Sequence, residues 1–349
     1  MLTRPQLDAL TATGCEIDCS NLTRQLFATD ASIYQIEPGG VAFPRTAAQA
    51  GALFRAAADA GIPITPRGSG SGLTGGALGD GLIVDLARHN RQITNLNLDR
   101  GTVQVGAGVV LDQLNQFLQP HGRQFGPDVA TSSRATLGGM IANNSSGARV
   151  PAFGCTGDHV VALEAVLADG RVVNLAPETT ALAAVEKQIQ HWVAVNREEI
   201  LARMPAEILK RWPGYGLDRC LREPQAALRH ILAGSEGTLA GIVSAELKIV
   251  PIPKDKGLAI IFFASVAEAM QATVALLDLQ PAAIEHVDRI LFDQTRGQAP
   301  FAAARALLDL DHQPCEAFLI VEFYGDSAAR LEEVARRRLG LRTTLLAKE

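Results

Sequence analysis

The sequence RGSGSGLTGG at residues 67–76 follows Ile62-Pro63-Ile64, a short apolar segment that is typical of a β-strand. Glycine occupies five of the ten loop positions, which disfavours a helix and allows the backbone to approach a ligand closely. Successive N–H groups in such a loop can surround an anion, and a pyrophosphate group suits an extended run of small residues. We therefore predict that this loop binds a diphosphate.

The same loop satisfies the G-x-G-x-x-G pattern of nicotinamide dinucleotide sites through Gly70, Gly72 and Gly75. That site needs a helix that begins within the glycines and an acidic residue about 20 positions later on the next strand. More glycines follow instead of a helix, and the strand at that distance carries Asn95 and Asn97. The nicotinamide interpretation is therefore weaker, and no Lys-Ser or Lys-Thr closes the loop as in a Walker-type site.

A second glycine-rich segment runs from Gly126 to Gly147 and contains the pair Gly138-Gly139. Thr136 precedes a short predicted helix, whose N-terminal amides we expect to face the anion. Asn143 and Ser146 add short polar side chains. A surface turn without a ligand is the alternative for either loop alone, but two such loops in one strand-rich region favour a dinucleotide held between them.

Strand and helix signals surround both loops. Thr46 is predicted to cap a helix before the first loop, with Gln49 in the reciprocal position. Asp169-Gly170 is predicted to join two paired strands after the second loop. Pro251 and Pro253 mark a domain boundary, because proline is poorly tolerated inside a sheet.

The segment after this boundary predicts an α+β domain whose sheet is incomplete. Three strands are predicted, at 258–263, 283–287 and 318–323, and Ser265 with Glu268 is predicted to cap a helix that runs to about Leu279 between the first two. A charged helix from Ala328 to Leu339 is predicted as the final element.

Composition excludes several classes of protein. The 349 residues carry a net charge of −5 with no long basic run, so we expect no nucleic-acid partner. The five cysteines form no C-x-x-C pair, so we predict no zinc or iron–sulfur ligands within the chain and no metal site. We find neither a secretory leader nor an apolar stretch near the ~20 residues that cross a bilayer, which predicts a cytoplasmic protein that is free to dock at the inner face of the membrane.

Three ordered motifs carry a resemblance to a known family. They read PRGSGSG at 66–72, ATLGGMIANNSSG at 135–147 and LAGSEGTL at 232–239. Together they resemble the FAD-linked oxidases of the vanillyl-alcohol-oxidase/PCMH superfamily, in the branch of D-lactate, glycolate and D-2-hydroxyglutarate dehydrogenases. The match extends from about Asp30 to Pro253.

The resemblance implies the residues of an FAD site. The residues expected to wrap the pyrophosphate are Arg67, Gly68, Ser69, Gly70, Ser71, Gly72, Thr74 and Gly75. Those expected to line the ribityl chain and flavin are Pro127, Asp128, Ser133, Thr136, Gly138, Gly139, Asn143, Ser146 and Gly147, with Gly237 and Ile242 at the adenine side or ring edge. The first loop contains serines but no histidine for covalent attachment, so we expect non-covalent FAD.

It also implies the domain organisation. We expect an N-terminal helical segment at 1–36, a PCMH-type FAD-binding domain of two α/β subdomains at 37–253, and a partial FAD-linked-oxidase C-terminal domain at 254–349. That last domain would be ferredoxin-like, α+β and truncated.

The implied activity is hydride transfer from a small D-2-hydroxy acid of the lactate, glycolate or 2-hydroxyglutarate type to FAD. The catalytic residues are not evident, because the family's H-x-G-D-G-N-x-H-like metal-binding run is absent from this sequence. Tyr215 lies in a segment, Lys210 to Leu217, that resembles a family motif except at Gly216, and it is a weak candidate to face the flavin. His286 is a weak candidate for the base.

Electrons would pass to a quinone, an iron–sulfur protein or another carrier. Two alternatives stay open: a non-catalytic FAD-binding subunit or fragment of a larger flavin/iron–sulfur dehydrogenase, and an NADPH-dependent reductase on the same fold. We also expect either a missing C-terminal region or a partner subunit that completes the substrate domain.

Overall fold

A computed structural model describes residues 2–204 and 214–348. The helices are α1 Arg4–Thr11, α2 Asn21–Phe27, α3 Ala47–Asp59, α4 Leu111–Leu118, α5 Leu137–Ala142, α6 Val150–Phe153, α7 Ala183–Val195, α8 Arg197–Arg203, α9 Leu217–Arg222, α10 Ala227–Leu232, α11 Val266–Leu276, α12 Arg289–Asp293, α13 Ala302–Leu307 and α14 Ser327–Arg337.

The strands are β1 Glu16–Asp18, β2 Gly40–Phe43, β3 Ile64–Arg67, β4 Leu82–Asp85, β5 Ile93–Asn97, β6 Thr102–Gly106, β7 Arg123–Gln124, β8 Val160–Leu167, β9 Val172–Asn174, β10 Ala240–Lys248, β11 Val250–Pro251, β12 Lys256–Phe263, β13 Ala283–Asp288, β14 Ala317–Tyr324 and β15 Arg342–Lys348. The mixture of helices and strands confirms the predicted α+β class.

The chain divides into two compact units. The first consists of Met1–Gly147 and Cys155–Pro251, and the second of Ala148–Gly154 and Ile252–Glu349. None of the helices in the described ranges is both long and apolar enough to span a membrane.

The first unit begins with a four-stranded sheet in the order β1-β2-β4-β3. Strands β2 and β3 both run parallel to β4, and α3 is the crossover between them. The predicted cap of α3 is confirmed, because the Thr46 side chain accepts a hydrogen bond from the Gln49 N–H at 3.1 Å. Strand β3 ends at Arg67, so the first glycine loop leaves this sheet at a carboxyl edge.

A five-stranded antiparallel sheet follows in the order β5-β6-β10-β8-β9. The predicted pairing across Asp169-Gly170 is confirmed as β8 with β9. Helix α3 packs between the two sheets through Leu53 and Phe54, which share one apolar core with residues of both. This shared core fixes the ends of the strands that carry the glycine loops.

The second unit contains a four-stranded antiparallel sheet in the order β13-β14-β12-β15, with α11 and α14 packed on its core. This is the strand order of a ferredoxin-like βαββαβ arrangement. Strand β15 was not predicted, since it is an edge strand whose described residues are partly or fully exposed and which therefore lacks an alternating apolar pattern. This sheet therefore has four strands where three were predicted.

The segment Ala148–Gly154, which contains α6, also belongs to the second unit. The Arg149 guanidinium donates two hydrogen bonds of 2.8 Å to the two carboxylate oxygens of Glu322 on β14. The Tyr324 hydroxyl donates to the same carboxylate at 3.0 Å. The ion pair with Arg149 and the hydrogen bond from Tyr324 hold the pKa of Glu322 below its ordinary value, although burial opposes them.

Candidate functional site

A cleft in the first unit lies between the two predicted glycine loops. The lining comes from three segments, namely the first loop at 66–77, a second segment at 129–145, and a third at 236–242, together with Leu86 and Ala107.

The two loops face each other at two points. A Cβ atom placed on Gly68 would lie 2.3 Å from Thr136 Oγ1, and one placed on Gly72 would lie 3.5 Å from Asn143 Nδ2. The cleft therefore runs along the gap between 68–72 and 136–143. The predicted convergence of the two loops is confirmed.

The first loop presents unpaired backbone donors to this gap. The N–H groups of residues 68–76 donate to no acceptor within the part of the chain that the structure describes. Gly70 and Gly75 have φ values of +67° and +80°, in the left-handed region that favours glycine. A curled run of free amides is the backbone arrangement that binds phosphate groups.

Arg67 holds this loop from behind. Its side chain is 9% exposed, and its guanidinium donates to the carbonyls of Phe27 (3.0 Å), Thr29 (2.8 Å) and Ala77 (3.3 Å). The guanidinium carbon also lies 5.0 Å from the centre of the Phe27 ring. Burial lowers the pKa of Arg67, and the nearby carboxylates of Asp30 and Asp85 counter that effect. The side chain thus holds together two stretches of backbone, 27–29 and the end of the loop at Ala77.

The second loop offers side chains in place of amides. Helix α5 begins after Thr136, as predicted, but two of its first amides are already used, because Leu137 N–H donates to the Val109 carbonyl and Gly138 N–H to the Ala107 carbonyl, both at 2.8 Å. The Leu137 and Gly138 amides are therefore not free to bind an anion, whereas the Gly139 N–H donates to no acceptor among the described residues. The Thr136 Oγ1 atom is buried at the cleft and has no hydrogen-bond partner among the residues of the described ranges.

The third segment bridges the two loops. The N–H of Gly234 donates to the Ile141 carbonyl and that of Glu236 to the Ala142 carbonyl, which docks the segment on the end of α5. On the other side, a Cβ atom on Gly237 would lie 3.4 Å from Pro66. Glu236 lines the cleft with a φ of +52°, a conformation that a non-glycine residue adopts at some cost.

Most predicted cofactor residues line the cleft, and several lie beside it. Those in the lining are Arg67, Gly68, Ser69, Gly70, Ser71, Gly72, Thr74, Thr136, Gly138, Gly139, Asn143, Gly237 and Ile242. Those outside it are Gly75, Pro127, Asp128, Ser133, Ser146 and Gly147. The missed lining residues include Val129, Thr131, Ala135, Met140, Ser145 and Glu236.

Two of the six residues outside the lining, Gly75 of the first loop and Gly147 of the second, are closely packed instead. A Cβ atom on Gly75 would lie 2.9 Å from the Tyr34 ring, and one on Gly147 would lie 2.2 Å from the Asp128 carbonyl oxygen. Gly147 and Asp128 thus meet each other next to the second loop. Both glycines are required by close packing.

The two catalytic candidates lie in different units. The Tyr215 hydroxyl is 2.9 Å from Thr238 Oγ1, next to the cleft residue Gly237. The first part of its motif, at 210–213, lies outside the described residues. His286 is an exposed residue of β13 in the second unit and is not among the residues that line the cleft. Within the described ranges, no group of three or more His, Cys, Asp or Glu side chains could hold a metal ion.

The cleft fits an FAD molecule in its chemistry. The free amides of residues 68–76 suit a diphosphate, the unpartnered Thr136 hydroxyl suits a polar group of the ligand, and the missing Cβ of Gly72 leaves room for close approach. Arg67 adds a buried positive charge behind the anion-binding loop. These features define a dinucleotide-binding site.

The comparisons with known proteins identify that class. Residues 38–176 match the FAD binding domain family, and residues 252–344 match the C-terminal domain of FAD linked oxidases. The chain belongs to the family of PCMH-type FAD-linked oxidases. Its cofactor is therefore FAD, in agreement with what the resemblance of the three motifs implies.

Named relatives and a solved structure extend the comparison. D-2-hydroxyglutarate dehydrogenase of Pantoea ananatis is 34% identical over 98% of this chain and 35% of its own length. D-lactate dehydrogenase of Archaeoglobus fulgidus is 30% identical over 70% of this chain and 46% of its own. A structure of alkyldihydroxyacetonephosphate synthase superposes with a TM-score of 0.72 at 16% identity, covering 99% of this chain and 60% of that protein, which indicates the shared fold. The chain spans about a third of the length of the D-2-hydroxyglutarate dehydrogenases that it matches.

Proposed function

We propose that this chain is the flavin-binding part of a dehydrogenase that oxidises a small D-2-hydroxy acid to the 2-oxo acid. The observation that supports the proposal most is the cleft between two loops, with free amides on one side and the unpartnered Thr136 hydroxyl on the other. The names of the relatives supply the substrate class, and 2-hydroxyglutarate comes first because its dehydrogenases match nearly the whole chain.

The residues of the cleft divide the work of holding the cofactor. The amides of residues 68–76 bind the diphosphate, and Thr136, Asn143 and Ser145 contact the polar groups of the rest of the molecule. Bound FAD supplies the acceptor for the hydride that leaves C2 of the hydroxy acid. The described lining contains no histidine, cysteine or tyrosine, which supports non-covalent binding.

The hydroxyl proton of the substrate must go to a base. Tyr215 is the better of the two candidates for a position near the flavin, because its hydroxyl touches Thr238 beside the cleft. His286 belongs to the second unit and stays a proposal. The domain organisation of the family also allows a base that comes from protein outside this chain.

The experiment is anaerobic reduction of the purified, FAD-loaded protein. D-2-hydroxyglutarate, D-lactate and glycolate are added separately, with L-2-hydroxyglutarate as the matched control, and loss of the absorbance of oxidised flavin is followed. We expect bleaching by a D-acid and none by the L-acid. Protein that takes up no FAD would contradict the whole proposal. Reduction of the bound FAD by NADPH would support the reductase alternative.

A chain that holds FAD without turning over substrate is the second candidate. It is favoured by the described lining of the cleft, in which Arg67 and Glu236 are the only titratable side chains, so that no base is evident there. Uptake of FAD without bleaching by any of the acids would support this candidate. Recovery of reduction on adding the rest of a longer homologue would assign the missing step to that part.

The electron acceptor and the location are proposals of the same kind. We infer an acceptor such as a quinone, an iron–sulfur protein or another carrier, and a cytoplasmic protein that docks at the membrane when its acceptor lies there. Re-oxidation of the reduced protein by a soluble quinone analogue, faster than by air, is the expected result.

A further inference from the structure

Arg219 on α9 is almost fully buried, although α9 contributes no residue to the cleft lining. Its side chain is 3% exposed, and its Nη2 atom lies 2.7 Å from Asp158 Oδ1. Its Nη1 atom lies 3.4 Å from the side-chain oxygen of Asn144. A buried guanidinium that reaches two side chains more than 60 positions away in sequence joins distant segments of the chain.

Asn144 forms the turn in the second loop. It has a φ of +47° and stands between Asn143 and Ser145, both of which line the cleft. Its side-chain oxygen also accepts a hydrogen bond from the Gly157 N–H at 2.9 Å. A left-handed asparagine costs free energy that its surroundings must supply, and here they do so through Arg219 and Gly157.

The segment that follows the turn is held by the same contacts. Asp158, the ion-pair partner of Arg219, accepts from the Cys155 N–H at 2.8 Å. Thr156 donates to the Ser145 carbonyl from both its N–H (2.9 Å) and its hydroxyl (2.7 Å). The guanidinium is packed closely, since a Cβ atom on Gly157 would lie 2.2 Å from Arg219 Nη1.

We propose that Arg219 is a positioning residue for the cofactor: through Asn144 and Asp158 it fixes the turn that presents Asn143 and Ser145 to the FAD cleft. This inference rests on the proposed non-covalent FAD site. The contacts of Arg219 with Asn144 and Asp158 lie in the second loop and in the segment that follows it, so we expect its effect to reach the cofactor through the second loop.

The test compares Arg219→Met with Arg222→Met. Arg222 lies on the same helix and forms an ion pair with Asp218, but its side chain is 45% exposed and makes no contact with the turn. We expect Arg219→Met to weaken FAD binding about ten- to hundredfold, by analogy with the loss of groups that orient the ligands of a metal ion. Arg222→Met is expected to bind FAD as the wild type does.

Two further measurements separate positioning from general stability. Asn144→Gly keeps the left-handed backbone but removes the acceptor, so it should weaken FAD binding and give a non-additive effect when combined with Arg219→Met. Hydrogen exchange at residues 143–145 should be at least about tenfold faster in Arg219→Met than in Arg222→Met. If Arg219→Met does not fold, Asn144→Gly and Arg219→Lys carry the same comparison.

The outcomes are distinct from those of the proposed function. Wild-type protein that takes up no FAD contradicts the proposed function, whereas the exchange rates at residues 143–145 still decide whether Arg219 holds the turn. Unchanged FAD affinity in folded Arg219→Met and Asn144→Gly variants would overturn the inference. So would a fall in melting temperature with no change in the dissociation constant of FAD, because that is the result of a purely structural arginine.

Discussion

The first glycine loop and the second loop lie on opposite sides of one cleft, but they present different groups to it. Residues 68–76 offer free N–H groups and little side chain. Residues 136–145 have their first helical amides committed to the strand end at Val109 and Ala107, and they offer the hydroxyl of Thr136 and the polar side chains of Asn143 and Ser145. The first loop is therefore suited to an anion and the second to neutral polar groups.

The two loops are also held in place in the same way. Each is held from outside the cleft by one buried arginine: Arg67 donates to three backbone carbonyls around the first loop, and Arg219 reaches the side chain of Asn144 in the second. An arginine suits this task because its planar guanidinium has five donors and stays charged when buried. The comparison predicts that substitutions in the first loop weaken the binding of the diphosphate of FAD. Substitutions in the second loop should instead change how the rest of FAD is oriented.

The largest effect is expected from Gly72→Val. The new side chain meets only Asn143 within 4 Å, so the protein itself can accommodate it, but it fills the gap in which the diphosphate lies. Overpacking of a filled site costs about 1–3 kcal/mol, which is up to about 100-fold in the dissociation constant of FAD. Equilibrium titration of the apoprotein with FAD measures it.

Two variants bracket that result. Gly72→Ala should show a smaller loss, and Leu73→Val, which changes a side chain that is 76% exposed in the same loop, should show none. A Gly72→Val protein with wild-type flavin content would remove the first loop from the site.

A smaller loss of affinity, with a large loss of stability, is expected for Arg67→Met. Three carbonyls lose their donor, which should lower the free energy of unfolding by about 2–4 kcal/mol and weaken FAD binding about tenfold. Urea unfolding and FAD titration measure the two quantities. The matched control is Arg88→Met, since Arg88 also stacks on a phenylalanine ring but its side chain is 49% exposed. Direct binding of the diphosphate by Arg67 would instead cost affinity without stability.

Local features of this fold were predictable from the sequence. The Thr46 cap, the Asp169-Gly170 hairpin and the loop at 67–76 depend on contacts within a few residues, and each has a distinct residue pattern. The role of the glycines in exposing backbone N–H groups was predictable for the same reason, because glycine has no side chain to cover the backbone.

Long-range features were not predictable from one sequence. The carbonyls of Phe27 and Thr29 lie about 40 positions before Arg67, and Asn144 lies 75 positions before Arg219, so no local pattern marks these contacts. The hydrogen bonds from the Leu137 and Gly138 amides to carbonyls just after β6 were not predicted, because they depend on how α5 packs against the sheet. The outward-facing edge strand β15 lacked an apolar alternation.

The smallest effect, and the sharpest comparison between the loops, comes from Thr136→Val. The Thr136 hydroxyl is buried without a partner in the described part of the chain, so its removal should leave the apoprotein as stable or stabilise it by about 1 kcal/mol. The same change should weaken FAD binding by about two- to tenfold, because one hydrogen bond to the ligand is lost. Thr136→Ser keeps the hydroxyl and should bind as the wild type does. Opposite signs for stability and affinity are the signature of a group reserved for a ligand, whereas a fall in both would make Thr136 an ordinary part of the core.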